Sequence, residues 1–594
     1  MEKVIEARKC KNCWADFAIS DKDFEFYDKI SPVFGWTKYT IPAPTFCPEC
    51  RQQRRLVFRN ERYLYRRNSD ASGKNIISMY SPDKEFKVYE QSEWWSDRWN
   101  PLDYGQDFDF SRSFFEQFDE LLKEVPRLGL MLKDNENVEY WNDVETAKNC
   151  YLIFNAWDIE DSYYCSAVWQ WSSDLMDCLW AVGSSNCYSC IKIKNAHNCQ
   201  YCMDSKDIFD CGHCIDCIWC KSCFWCVWLQ NKQYYIFNEK YWIDEYKIKM
   251  GGLKDMKRDE LDKLIKLKQD PLPRKFIHSE SSENAIWDYF NNSKNCINCY
   301  DMLDSEDCKY CYDWITIDTY DIFNCWTESY LLYESVSSYF SNNTRFSNFC
   351  HSSKELFYSD YCYYSSNLFW CVWLRNKHYC IFNKQYSKEE YEKLVPKIIE
   401  HMKKTKEWWE FFPASLSPFW YNETVANYYY PIERRDAINR ISTDAKPIFN
   451  WSTYENPKPI VSKIIPSHKL PEKIEDVPDD VLNWAIECEV TWKPFRIIKQ
   501  ELEFYRKYKL PLPRKHPDQR NLEMTRMRNP RILYDRCCDN PKCEEIHNEH
   551  PDTFNLNSLM NSKTWKRWLK FKTTYSPEWS EIIYCEDCYN KEVV

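Results

Sequence analysis

The sequence predicts a mainly β fold with added helices. Its centre is a parallel β-helix-like solenoid of short Cys-rich repeats in two copies, flanked at the ends by duplicated knuckle/ribbon modules. Three observations carry this. Cys187, Cys199, Cys211 and Cys223 recur every twelve residues, as do Cys190, Cys202, Cys214 and Cys226; a fixed short period means one small unit stacked on itself. The stretch 147–165 matches 293–311 at an offset of 146, and 224–238 matches 369–383 at an offset of 145, so the middle is duplicated. The segment 494–507 matches 16–29, so the ends are duplicated as well.

A chain of 594 residues is too long for one core. The divisions expected are an N-terminal zinc module at 1–130, a first repeat unit with a capping helix at 131–250, and a helical linker at 251–282. A second repeat unit with its capping helix follows at 283–405, then an aromatic and Pro-rich strap at 406–478 and a C-terminal zinc-ribbon module at 479–594. No apolar run reaches the roughly 18 residues of a membrane span, and the N-terminus has no apolar signal core. Both point to the cytoplasm, where 32 cysteines would be thiols or metal ligands rather than disulfides. A net charge of −11 argues against general nucleic-acid affinity but leaves local basic patches open.

In the first module Cys10-x-x-Cys13 and Cys47-Pro-Glu-Cys50 are two knuckles. Four soft thiolates suit tetrahedral zinc. Directly after Cys50, Arg51, Arg54, Arg55, Arg59 and Arg62 fall at helix-compatible spacings of three and four. A knuckle leading into such a helix is one way zinc modules reach phosphate; the alternative is that the arginines brace the fold through carboxylates.

The central units are too short for helix pairs. Asn and Asp before many cysteines suit polar corners, because they tolerate left-handed backbone, and the cysteines would line the interior as small apolar side chains. A metal or redox array along Cys211, Cys214, Cys217, Cys220, Cys223 and Cys226 is the sharper alternative. The period alone does not say whether a coil takes 12 or about 24 residues. Gly251-Gly252 opens the linker, and dense aromatics with proline make 406–478 read as a strap laid over the body.

In the last module 510–520 matches 41–51, which sets His516 opposite Cys47, and the register of 494–507 on 16–29 sets Cys488 opposite Cys10. The first zinc site is broken in this copy, leaving only that Cys–His pair as an open site. Arg526, Arg528, Arg531 and Arg536 repeat the arginine run. Beyond it Cys538 and Cys543 face Cys585-Glu-Asp-Cys588, with Cys537 competing for the place of Cys538. The spacer between these pairs holds a basic stretch at 563–572. Two structural zinc ions are therefore expected, one at each end.

Glycine is scarce, with 8 residues, and tryptophan abundant, with 28. Average usage would give roughly 40 glycines. Trp14 directly follows a knuckle, and Trp420 lies in a turn-like stretch. The composition is that expected of a chain in which many UGA codons, written here as Trp, are read as glycine; the alternative is a genuinely Trp-rich protein.

The stretches 47–67, 381–394, 410–426 and 584–593, together with the NC-x-x-C repeats, resemble an uncharacterised family of cysteine-rich zinc-ribbon proteins from small-genome uncultured bacteria. The resemblance covers nearly the whole chain. Family members have glycine where this chain has Trp225, Trp228, Trp370, Trp373 and Trp420, and some such bacteria read UGA as glycine. Members often carry the label CaiB/BaiF family, a CoA-transferase designation. That activity needs an aspartate nucleophile in an alternating α/β fold, and this sequence has neither.

The function expected is a non-enzymatic, zinc-stabilised binding scaffold whose arginine helices contact nucleic acid or a ribonucleoprotein. A protein-assembly scaffold without nucleic acid and a carbohydrate-active or carbohydrate-binding β-helix are the alternatives. No membrane partner is expected.

Overall fold

The computed structural model describes residues 2–592 apart from 255, 257, 324–332, 337–341, 441–446, 456, 458 and 544–569. Parallel bridges join Ser185 to His197, His197 to Phe209 and Phe209 to Lys221, each twelve residues on. One coil is therefore twelve residues, built as four sides of three. The cause is visible in the backbone. Every third residue turns a corner with φ near +50°, for instance Asn195 (49°), Asn198 (54°), Asp207 (53°) and Asp210 (53°). Asn and Asp pay least in that left-handed region. Their side chains also bond from coil to coil: Asn195 Nδ2 donates to Asp207 Oδ1 at 2.9 Å and Asn198 Nδ2 to Asp210 Oδ1 at 2.7 Å.

The residue after each corner points inward. Cys187, Cys190, Ile193 and Ala196 are the four buried side chains of one coil. The core is narrow, so small side chains stack in columns. The thiols act as weak donors to carbonyls of their own wall: Cys199 to His197 O at 3.3 Å, Cys211 to Phe209 O at 3.3 Å and Cys223 to Lys221 O at 3.4 Å.

The first solenoid runs from the strand Leu132–Lys133 to Gln233–Ile236, and the second from Ser279–Glu280 to His378–Ile381. The second starts four residues before the expected boundary at 283. Gly251-Gly252 is no break; it lies inside the helix Ile243–Lys254, which the helix Arg258–Lys268 follows. Both solenoids end alike. A two-residue strand folds back antiparallel on the last coil, and an asparagine side chain then mimics one more rung. Asn238 accepts from Val227 N at 2.9 Å and donates to Val227 O at 2.9 Å. Asn383 does the same for Val372 at 2.8 and 2.9 Å. This satisfies edge groups that would otherwise be buried unpaired.

The two solenoids lie side by side. Lys192 of the first pairs with Asp301 of the second, and Lys206 with Glu280 at 3.2 Å. The end modules share one plan: a hairpin, a helix (Asp21–Ile30 or Lys499–Tyr508), then a Pro-started helix (Pro48–Leu56 or Pro517–Met527). Their docking is crossed. The N-terminal module packs chiefly on the second solenoid, where Phe26 stacks on Tyr320 with centroids 3.9 Å apart. The C-terminal helices pack on the first, where Tyr164 donates to Glu501 at 2.6 Å. Phe411, Phe412, Phe419 and Tyr421 of the strap are buried against the N-terminal module and the second solenoid.

Many of the tryptophans stand where glycine is at ease. Among the described residues twelve have φ between 52° and 137°, including Trp14 (65°) and Trp492 (59°) at equivalent knuckle turns, and Trp225, Trp228, Trp370 and Trp373 at solenoid corners. The buried indole N–H groups of Trp225, Trp228, Trp287, Trp370, Trp373 and Trp409 have no partner among the described residues. The Trp370 ring is also driven into the space of Phe114. Left-handed backbone costs a bulky residue about 1–2 kcal/mol and an orphaned buried donor about 1–3 kcal/mol. Trp370→Gly is therefore expected to raise stability by about 2 kcal/mol or more in denaturant unfolding. Trp420→Gly is the contrast, since Trp420 has φ −81°, donates to Asp83 at 3.3 Å and lies under Lys84; it is expected to gain nothing. Peptides from native material are expected to carry glycine at 225 and 373. Indole masses there, or a destabilised Trp370→Gly chain, would count against this account.

Candidate metal centres

The hairpin Val4–Lys9/Asp16–Ser20 presents Cys10 and Cys13 at its turn, and the start of the helix Pro48–Leu56 presents Cys47 and Cys50. Their ligand atoms lie within 4.8 Å of one another. Cys13 Sγ is 3.6 Å from Cys47 Sγ. A tetrahedral ion with metal–sulfur bonds of about 2.3 Å has sulfur–sulfur edges of about 3.8 Å, so the donor set fits. Asn12 donates to this cluster twice, from its backbone to Cys10 Sγ at 3.4 Å and from its side chain to Cys50 Sγ at 3.2 Å. Burial alone would raise the Cys10 thiol, but backbone N–H groups of Cys47, Cys13 and Asn12 draw it down to about 7. That favours the thiolate a metal needs.

Cys538, Cys543, Cys585 and Cys588 form the second quartet, also within 4.8 Å. Cys543 Sγ lies 3.8 Å from Cys585 Sγ, and Cys585 N donates to Cys538 Sγ at 3.3 Å. The competing Cys537 is exposed, outside the cluster. Each quartet could hold one metal ion, and four thiolates leave such an ion no open position.

The broken copy is not among the groups of three or more metal ligands found among the described residues. Nδ1 of His516 accepts from Asp518 N at 3.1 Å, capping the helix Pro517–Met527, and Cys488 Sγ instead accepts from Thr491 N at 3.5 Å. The solenoid cysteines from Cys211 to Cys226 also fall outside the metal-ligand groups found among the described residues.

The arginines require a correction. Arg51, Arg54, Arg55, Arg59 and Arg62 do not face solvent; all five are buried. Arg51 makes a bidentate pair with Asp321 at 2.9 and 2.9 Å, and Arg55 joins the same carboxylate at 3.1 Å. Arg54 pairs with Glu334 at 2.7 Å, Arg59 with Asp143 at 2.9 Å and Arg62 with Asp518 at 3.2 Å. Arg528 and Arg531 are buried on Asp301, each at 3.1 Å. Arg536 binds Asp539 at 2.9 Å and two carbonyls. Of the nine, Arg526 is exposed. Only Arg51, Arg54 and Arg55 lie on the helix Pro48–Leu56, which aims them at the second solenoid; Arg59 and Arg62 follow its end, and Arg528, Arg531 and Arg536 follow the helix Pro517–Met527. Carboxylates neutralise these groups, so phosphate cannot reach most of them. Residues 563–569 of the basic stretch lie outside the described residues.

Sequence reasoning missed the acceptors. Asp301, Asp321 and Asp177 each occupy a solenoid corner, with φ of 61°, 59° and 52°. Asp177 receives Arg520 of the C-terminal helix as Asp321 receives Arg51. Burial alone would raise the Asp301 carboxyl, but Lys192, Arg528 and Arg531 hold it down to about 2.

No protein-family model matches this chain, and no curated protein matches it. Among the described residues no helix is long and apolar enough to cross a membrane.

Proposed function

We propose that this chain is a zinc-stabilised scaffold on which protein partners assemble, with the quartets taking structural zinc. Thiolate-only donor sets favour zinc over harder ions, and their closed geometry favours a structural role. The observation that carries the reading is the flank of the first solenoid. There Tyr201 and Phe209 are exposed on a rigid ladder, at different positions around the coil. Exposed aromatic side chains on a preorganised surface suit a protein partner. The nucleic-acid reading loses support because its arginines are paired inside.

The test is retention of mixed RNA and DNA at two salt concentrations, with affinity capture run with and without nuclease. The expected result is no salt-sensitive retention and a captured protein set that nuclease does not change. Nuclease-sensitive capture would restore nucleic acid as the partner.

A carbohydrate ligand is the second reading. It is favoured by the cleft between the solenoids, a cavity of about 330 Å³ lined by Tyr289 and the carboxylates Asp204, Asp216, Glu280 and Asp301. Glycan-array binding that is lost with Tyr289→Ala would support it.

A further inference from the structure

The same cleft holds a cluster that neither quartet explains. Asp204 and Asp216 are corner residues of adjacent coils, twelve apart, with φ of 48° and 55°. His278 comes from the chain entering the second solenoid. One ligand atom from each of the three lies within 4.8 Å of the others.

The histidine is oriented from behind. Its Nδ1 lies 3.2 Å from both oxygens of Asp288, which also accepts from His278 N at 2.6 Å and from the Thr574 hydroxyl. The ring stacks on Tyr289, with centroids 4.2 Å apart. A carboxylate behind an imidazole fixes the tautomer with the proton on Nδ1 and turns the Nε2 lone pair forward, the usual outer-shell arrangement at metal-bound histidines. Nε2 faces Asp216 Oδ1 at 3.1 Å and the Tyr575 hydroxyl at 3.3 Å.

The carboxylates are left wanting. Asp216 is 3% exposed, yet its Oδ2 has no hydrogen-bond partner among the described residues. Asp204 Oδ1 is likewise buried without one, while Asp204 Oδ2 has only the Tyr289 hydroxyl, at 3.4 Å. Two close carboxylates with orphaned oxygens repel each other and are costly unless a cation sits between them. The nearby ammonium of Lys192 is committed to Asp301.

We infer that Asp204, Asp216 and His278 form a third metal site, taking one first-row divalent cation. Two carboxylates with one imidazole suit ions such as manganese or zinc. Three protein ligands leave a position facing the cavity. The site is independent of the quartets, and the inference does not rest on which partner the scaffold binds.

Manganese separates it from the thiolate quartets, because a hard ion is a poor match for four sulfurs. The full chain, brought to two zinc ions per chain so that only the thiolate quartets are filled, is titrated with Mn²⁺, and free ion is read by electron paramagnetic resonance. One Mn²⁺ per chain is expected to bind. Asp216→Asn and His278→Gln are each expected to weaken binding by about 10–100-fold, while Cys13→Ser leaves it unchanged. Bound Mn²⁺ is also expected to broaden the His278 ring resonances in the unsubstituted chain, which needs no variant to fold. No Mn²⁺ uptake by the unsubstituted chain, unweakened uptake by folded Asp216→Asn, or sharp His278 signals at saturation would overturn the site.

Discussion

Cys47→Ser is expected to lose one zinc per chain and to unfold the N-terminal module before the solenoids. Cys47 is the N-cap of the helix Pro48–Leu56 and also a member of its quartet. That helix carries Arg51, Arg54 and Arg55 into Asp321 and Glu334. Without the ion, the hairpin bearing Cys10 and Cys13 is no longer tied to the helix, and the register of three buried ion pairs loosens with it. Structural zinc contributes roughly 10 kcal/mol or more to small zinc folds. Here docking against the solenoid retains part of the structure, so a loss of several kcal/mol is expected. Metal content per chain and urea unfolding followed by hydrogen exchange check this. Full protection of 48–56 after zinc loss would refute it. Cys585→Ser is expected to act more locally. It frees the short helix Glu586–Glu592 and the strand Ile583–Tyr584, which pairs with Arg274–Lys275 of the linker.

Asp301→Asn is expected to cost about 3–5 kcal/mol, because removing one partner of a buried pair leaves uncompensated charge. Here the stranded charges are Lys192, Arg528 and Arg531, at the seam where both solenoids meet the C-terminal module. Replacing the whole network by apolar residues of similar volume is expected to recover much of the loss. The pH dependence has a definite sign. An unfolded Asp titrates near about 3.9, and the native carboxyl is held down to about 2. Its contribution is therefore full above about pH 4 and lost as pH falls toward 2. Urea midpoints between pH 2 and 6 test this; the acid-side fall should be smaller in Asp301→Asn, with the remainder left to carboxylates such as Asp288 and Asp518 that are also held below their ordinary range.

Much of this architecture could be read from spacing. The twelve-residue recurrence of Cys187 and its successors announced a stacked unit, and the paired CxxC motifs announced the quartets. The coil length could not be read, because a period of twelve fits one coil or half of a larger one. It became plain only when His197 was found bridged to both Ser185 and Phe209. The arginine spacing revealed a helix only as far as Arg55, since the helix ends at Leu56 and Arg59 and Arg62 lie beyond it, and it did not reveal the target: Asp321 lies 270 residues from Arg51, and such pairing leaves no local trace. Asp204 and Asp216 show the same limit. Their twelve-residue separation was in plain view, but it means adjacency only when one coil is known to be twelve residues. His278, from another segment, carried no periodic mark at all.

The crossed docking of the end modules sets the order in which the molecule can be completed. On the ribosome, the nascent first module is finished at about residue 130, yet its carboxylate anchor, Asp321, is some 190 residues further on. At roughly 5–20 residues per second that is a wait of about 10–40 seconds. During it Phe26 and the arginine helix have no wall to close on. An ion captured early by the first quartet would hold the module in shape through that interval, so metal supply during translation should govern the yield of soluble protein.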